Sequence, residues 1–155
     1  MVKGFTLRLS GSFEREHEPG ASGLPYSAVL EYAHGPVSTM AAFERNSAGD
    51  KDTFVAAKYT VGAIAVMAAY DYSRTFDLGG QSRAATLDAT CRAGRVTLKA
   101  GYGRQRLNAD VNHFTSIGAD YVLSRRTTLY ASLGNKRAAT TDARTSFGMG
   151  LAHAF

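Results

Sequence analysis

Forty-one alternate positions, spread over ten segments, contain no Asp, Glu, Lys or Arg, and no other feature of the chain constrains its fold as tightly. The segments fall roughly at 3–13, 26–34, 37–45, 53–60, 63–73, 83–93, 96–104, 113–123, 127–134 and 145–155, and each alternates apolar and polar residues with a period of two. The uncharged set begins with Phe5, Leu7, Leu9, Gly11 and Phe13, continues through Ile64, Val66, Ala68, Tyr70 and Tyr72, and ends with Phe147, Met149, Leu151, His153 and Phe155. Since 20% of the chain is charged, about eight charges would fall on 41 positions by chance. Alternate side chains of a strand point to opposite faces, so a set free of charge is one face of a sheet. The other face carries Arg8, Glu31, Glu44, Lys58, Asp71, Asp88, Arg92, Lys99 and Asp120 among Ser, Thr, Gly and Ala. Helical spacing does not persist beyond two turns, and the chain reads as all-β.

Parity separates the faces without saying which points inward. A soluble sandwich or barrel buries its apolar face, whereas a membrane barrel turns that face to lipid. The aromatic residues decide the direction. On the apolar face Phe13, Tyr26, Phe43, Tyr70, Tyr72, Tyr102 and Phe147 fall at one end of their strands, and Phe5, Tyr32, Tyr59, Tyr121 and Phe155 at the other, with Leu, Val, Ile, Ala and Met between. Amphipathic rings flanking an aliphatic band belong at the two membrane–water interfaces, while a soluble core gathers large aromatics at its middle. The links agree, with short ones at Gly35-Pro36, Val61-Gly62, Gly94-Arg95 and Ser124-Arg125-Arg126. Longer polar ones lie at Glu14–Pro25, Asn46–Asp52, Arg74–Ser82, Gln105–Asn112 and Asn135–Arg144. Tight turns on one side and loops on the other make an up-and-down meander, and the predicted fold is a transmembrane antiparallel β-barrel of about ten strands in a single domain, 1–155. An open sheet would leave unpaired edges in lipid, so closure is expected within the chain or by oligomerisation.

Composition excludes most alternatives. The longest apolar run, Val61 to Tyr70, has ten residues, whereas a membrane-spanning helix needs ~18. A single cysteine, Cys91, gives neither an intramolecular disulfide nor a thiolate cluster, and four scattered histidines give no metal site. The net charge of +5 comes from 18 basic and 13 acidic residues spread along the chain, which does not point to nucleic acid. No targeting segment is read in Met1 to Arg8. Catalysis is not indicated either, because His113 and Ser116 stand on opposite faces and no acid neighbours His113. No cofactor is expected.

The last forty residues carry a family resemblance. Tyr121, Val122, Leu123, Ser124, Arg125, Arg126, Thr127, Thr128, Leu129, Tyr130, Ala131 and Ser132 resemble the penultimate hairpin of Gram-negative general porins, especially of the β-proteobacterial type. Gly148 to Phe155 resembles their final strand, which ends Gly-x-x-His-x-Phe. The resemblance implies a bacterial outer-membrane location and an assembly signal in Leu151, His153 and Phe155 for the barrel-assembly machinery. It also implies contact with outer-membrane lipids and lipopolysaccharide, passage of small solutes and ions, and a homo-oligomer, a trimer in that family. Such porins have sixteen strands. The chain corresponds to their last ten, without counterparts of the first six strands or the constriction loop.

The nine charges opposite the apolar face are the candidate site. As a pore lining they would set selectivity for ions and small hydrophilic solutes. Alternatively, opposite charges pair across a narrow lumen and plug it, leaving a non-conducting structural barrel or an incomplete porin fragment. By strand count Arg8, Asp88 and Lys99 lie nearest the narrowest zone, with Glu31 close behind, and small residues such as Gly101, Gly103, Gly148 and Gly150 leave wall unfilled.

Overall fold

The computed structural model describes residues 4–12, 23–75, 80–138 and 141–154. Ten strands follow one another: β1 (Phe5–Gly11), β2 (Tyr26–His34), β3 (Val37–Arg45), β4 (Lys51–Val61), β5 (Ile64–Arg74), β6 (Gln81–Ala93), β7 (Val96–Leu107), β8 (Asp110–Val122), β9 (Thr127–Ala138) and β10 (Thr141–His153). They form one sheet in chain order, each strand antiparallel to the next. Period-two alternation is what such a meander needs, since each strand must present one constant face to each side. Gly62 (φ 56°) and Gly94 (φ 60°) take the left-handed backbone that the tightest turns require.

Three expectations are corrected. First, the sheet does not close on itself, because β1 pairs only with β2 and β10 only with β9. Its curvature leaves an open arc, so of the two expected routes, closure within the chain or by oligomerisation, the first is not taken. Second, the strands on the loop side run further than apolar alternation marked them. β7 continues to Leu107 and β8 starts at Asp110, joined through Asn108 at φ 54°. Backbone pairing persists there after the outward side chains have turned polar, which hydropathy alone reads as loop. Third, the long link expected at Gln105–Asn112 is therefore a tight turn, and the difference in link length between the two sides is smaller than read. Phe13 and Phe155 lie outside the described residues.

No large apolar residue is buried among the described residues, where only Ser47 and Gly103 are. The apolar face is instead the outward one. Met149 is 75%, Phe147 67% and Ile117 61% exposed, and Leu87, Leu98 and Leu129 are exposed with them. The charged face is the more crowded, with Asp71, Asp88, Asp120, Gly101 and Gly118 only partly exposed and Gly103 buried. A curved sheet compresses side chains on its concave side and splays them on its convex side, so the charges line the concave surface.

The aromatic rings also fix the strand tilt. From Tyr32 on β2 the ladder runs through Thr39, Ala57, Ala68, Leu87 and Tyr102 to Thr115 on β8, whereas the turn-side ring on β8 is Tyr121, six residues further. The loop-side ring slips equally: the row of Tyr70 reaches β7 at Arg104, two residues and two strands from Tyr102. One residue of slip (~3.3 Å) per strand spacing (~4.8 Å) corresponds to a tilt of about 35°. That is the tilt of strands in a transmembrane barrel. Both rings thus lie on level belts only if the strands cross the bilayer obliquely.

Candidate pore-lining surface

All nine sequence-predicted residues share the concave face, and the ladder arranges them by level. At the loop side Glu44 on β3 opposes Asp52 on β4, and Asp52 opposes Ser73 on β5. Asp52 and Asp71, on adjacent strands, bring their carboxyl groups together. Across the arc, Lys136 on β9 opposes Arg144 on β10 and its ammonium stands 5.4 Å from the centre of the Phe114 ring. The loop-side half of the wall is therefore acidic on β3 to β5 and basic on β9 and β10. Asp52, Lys136 and Arg144 were missed from the sequence because they lie beyond the apolar alternation. Continuing each strand's parity by two residues would have found them.

Nearer the middle, one row runs Ser38, Lys58, Met67, Asp88, Gly101, Ser116, Gly134 and Ser146. Lys58 and Asp88 thus share one ladder row, separated by Met67, and the slip of one residue per strand sets Lys58, beside the turn-side ring residue Tyr59, about two residues nearer the turns than Asp88. Lys99 is not in that row. It lies a row closer to the turns, opposite Thr90 and Gly118, and its Nζ is 2.5 Å from the Asp120 carboxylate. Arg8 holds Glu31 at 2.9 Å. With that slip Lys99, one residue from the level of Asp88, stands closer to its depth than Lys58 does.

Both ion pairs join adjacent strands and run along the wall, β1 to β2 and β7 to β8. They are the only salt bridges among the described residues, and neither reaches across the concavity. The bases are 64% and 49% exposed and the acids 34% and 26%, so solvent screens both pairs and they contribute little stability. Their effect is to neutralise locally and to leave Glu44, Lys58, Asp71, Asp88 and Arg92, of the nine, outside the ion pairs found among the described residues.

The glycines of this wall do not simply leave space. A Cβ at Gly101 would collide with the Asp88 carboxylate and stand 3.0 Å from Ser116 Oγ, and one at Gly150 would meet the Tyr130 ring. Asp88 and Tyr130 therefore lie flat over the adjoining glycines. Gly101→Val should lift Asp88 off the wall and lower stability by roughly 1–3 kcal/mol, which a urea titration of the refolded protein would measure.

Of the residues that the resemblance assigns to an assembly signal, Leu151 and His153 lie on the outward face at the turn side, where His153 Nδ1 is 2.9 Å from Thr127 Oγ1. Phe155 lies outside the described residues. Tyr102 Oη meets His113 Nδ1 at 2.8 Å, also outward. No group of three His, Cys, Asp or Glu suited to a metal occurs among the described residues.

Comparison with solved structures finds this same architecture. A loop L8 deletion mutant of OmpT, an outer membrane protein of Vibrio cholerae, superposes with a TM-score of 0.78 at 17% identity over 99% of this chain and 60% of its own. A porin refined at 1.8 Å resolution gives 0.79 at 17% identity over 100% of this chain and 59% of its own. A multiply substituted Rh. blastica porin gives 0.71 at 16% identity over 100% and 53%. These likenesses are of fold, and the chain spans about 60% of the length of the first two. No curated protein matches the sequence. The profile of the family described as Gram-negative porin matches residues 1–141, and with a concave charged wall behind an apolar, aromatic-ringed exterior, the chain belongs to that family.

Proposed function

We propose that the sheet is the wall of an outer-membrane channel for passive diffusion of ions and small hydrophilic solutes. The observation that carries this reading is the placement of every sequence-predicted charge on the concave face, with ion pairs that follow the wall and leave the concavity open. A plugged lumen would instead need pairs reaching across it. Because β1 and β10 each have one neighbour, the conducting unit is closed by further antiparallel strands that join these two edges. Acids on one side of the arc and bases on the other would orient dipolar solutes as they pass. Assembly into a homo-oligomer and recognition of the terminal segment by the barrel-assembly machinery belong to the same reading. The reading is of a channel rather than an enzyme, and His113 and His153 meet Tyr102 and Thr127 on the outward face, away from the charged wall.

Planar-bilayer recording is the test. Folded protein is expected to give discrete conductance steps, and their absence from preparations with full β-content would refute the channel.

A further inference from the structure

One part of the concave face is apolar. On β2 to β5 its ladder rows carry Val29, Ala42 and Phe54, then Met40, Ala56 and Ala69, then Met67. On β6 to β10 the same face holds mainly Ser, Thr, Gly and charged residues, and among its described positions the only Val, Ile, Leu or Met are Leu107 and Val122 at strand ends. The patch packs against no other element among the described residues. Its strands touch only their ladder neighbours, and Met67 is 44% exposed.

Polar residues frame it on every side. Toward the loops, Asp71 ends the row of Phe54, while Glu44 and Asp52 oppose one another one row further on. None of these three acids joins a salt bridge among the described residues. Toward the turns Lys58 lies in the row of Met67, and at the sides Arg8 on β1 opposes Val29 and Thr86 on β6 opposes Ala69. Strands ~4.8 Å apart and rows ~6.6 Å apart make the patch roughly 14 Å wide and about 13 Å tall, the footprint of a molecule with one or two rings. A cleft of about 360 Å³, with Met40, Ala56, Lys58 and Met67 in its lining, opens at its turn-side part. That volume is in the range of small-molecule sites.

We propose that this patch is a binding site in the channel wall for small organic cations with an apolar body, their charged head held toward Glu44, Asp52 and Asp71. The inference rests on the channel reading and adds a solute class to it. Covering apolar side chains that face water is favourable, the Phe54 ring offers a flat face to an aromatic body or a cation, and Met40 and Met67 adapt to varied shapes. The acids supply the counter-charge. Lys58 repels a positive head from the turn-side edge, so the cation lies with its head toward the loops. A small solute fits rather than a segment of protein, because the apolar area ends within four strands in charged or hydroxyl-bearing residues.

The test adds phenethylammonium, ethylammonium or phenylpropionate to the refolded full chain in planar bilayers and reads the blockade of its conductance steps. Saturation-transfer magnetic resonance of the same three probes reads binding whether or not the chain conducts, so failure of the channel and failure of the patch are seen apart. Phenethylammonium should block and bind at concentrations about tenfold below either of the others, through the ring it adds to one and the charge it reverses in the other. Phe54→Ser should weaken it about tenfold, and Asp52→Asn/Asp71→Asn about fivefold. Phe54→Leu, which keeps the apolar surface, should largely retain it, and keeps the test valid if the Ser variant fails to fold. Phe114→Ser, on the concave face across the arc, should leave it unchanged. No binding of phenethylammonium, equal action of either other probe, or equal loss in Phe114→Ser overturns the site. So does a Phe54→Cys/Cys91→Ser thiol that a water-soluble maleimide cannot reach, which would mean that a protein segment already covers the patch.

Discussion

Ile117→Arg should abolish stable insertion while Ser116→Arg, one residue away, is tolerated. Ile117 lies on the outward face about midway between the levels of the two aromatic rings, and is 61% exposed. An arginine there would stand in hydrocarbon at mid-depth, at a cost of about 2–4 kcal/mol. Ser116 points the other way, between Gly101 and Gly134 in its ladder row, with Asp88 lying over Gly101. An arginine at 116 meets water, an acid and two residues without side chains. Urea titrations in vesicles, followed by tryptophan-free probes such as far-ultraviolet circular dichroism, would separate the two. Equal destabilisation would remove the distinction between faces, and a larger loss for Ser116→Arg would invert it.

The second large effect is expected in ion selectivity. Lys58 stands on the concave face outside the ion pairs found among the described residues, so its charge is felt by permeating ions rather than by a neighbour. One charge acts on an ion ~10 Å away in water with about 0.4 kcal/mol. Lys58→Glu changes two units of charge, about 0.8 kcal/mol in favour of a cation and as much against an anion, so the permeability ratio should shift roughly fifteenfold toward cations. Reversal potentials in a salt gradient would measure it. Lys99→Glu should shift the ratio as well, but it also sets two acids against each other at Asp120 and should therefore lower stability too. If Lys58→Glu leaves the reversal potential untouched, Lys58 does not face the ion path.

Much of this was legible because strand parity is a strong code. Ten strands, their order and the two faces follow from alternation, and β2 and β3 begin and end where the sequence marks them, Tyr26–His34 and Val37–Arg45. The level of each residue was not legible. The ladder puts Lys58 in the row of Asp88 and Lys99 a row nearer the turns, yet the slip of one residue per strand returns Lys99 to about the level of Asp88 and leaves Lys58 nearer the turns. A position along one strand says nothing of its level until the register between strands is known. The same limit hid Asp52, Lys136 and Arg144. Each lies where apolar alternation has stopped but backbone pairing has not, and a polar end of a strand resembles a loop in hydropathy.

The sequence by itself determined that this chain makes an all-β meander with one face purged of charge and ringed by aromatics. Period-two patterning suffices for that, since it depends only on the geometry of a single strand. Only the tertiary structure decided that the charged face is the concave one, that its ion pairs follow the wall, and that the ten strands form an arc with two open edges. Curvature, stagger and closure are properties of many strands paired together. They arise from twist and register summed across the sheet, and no single segment encodes them.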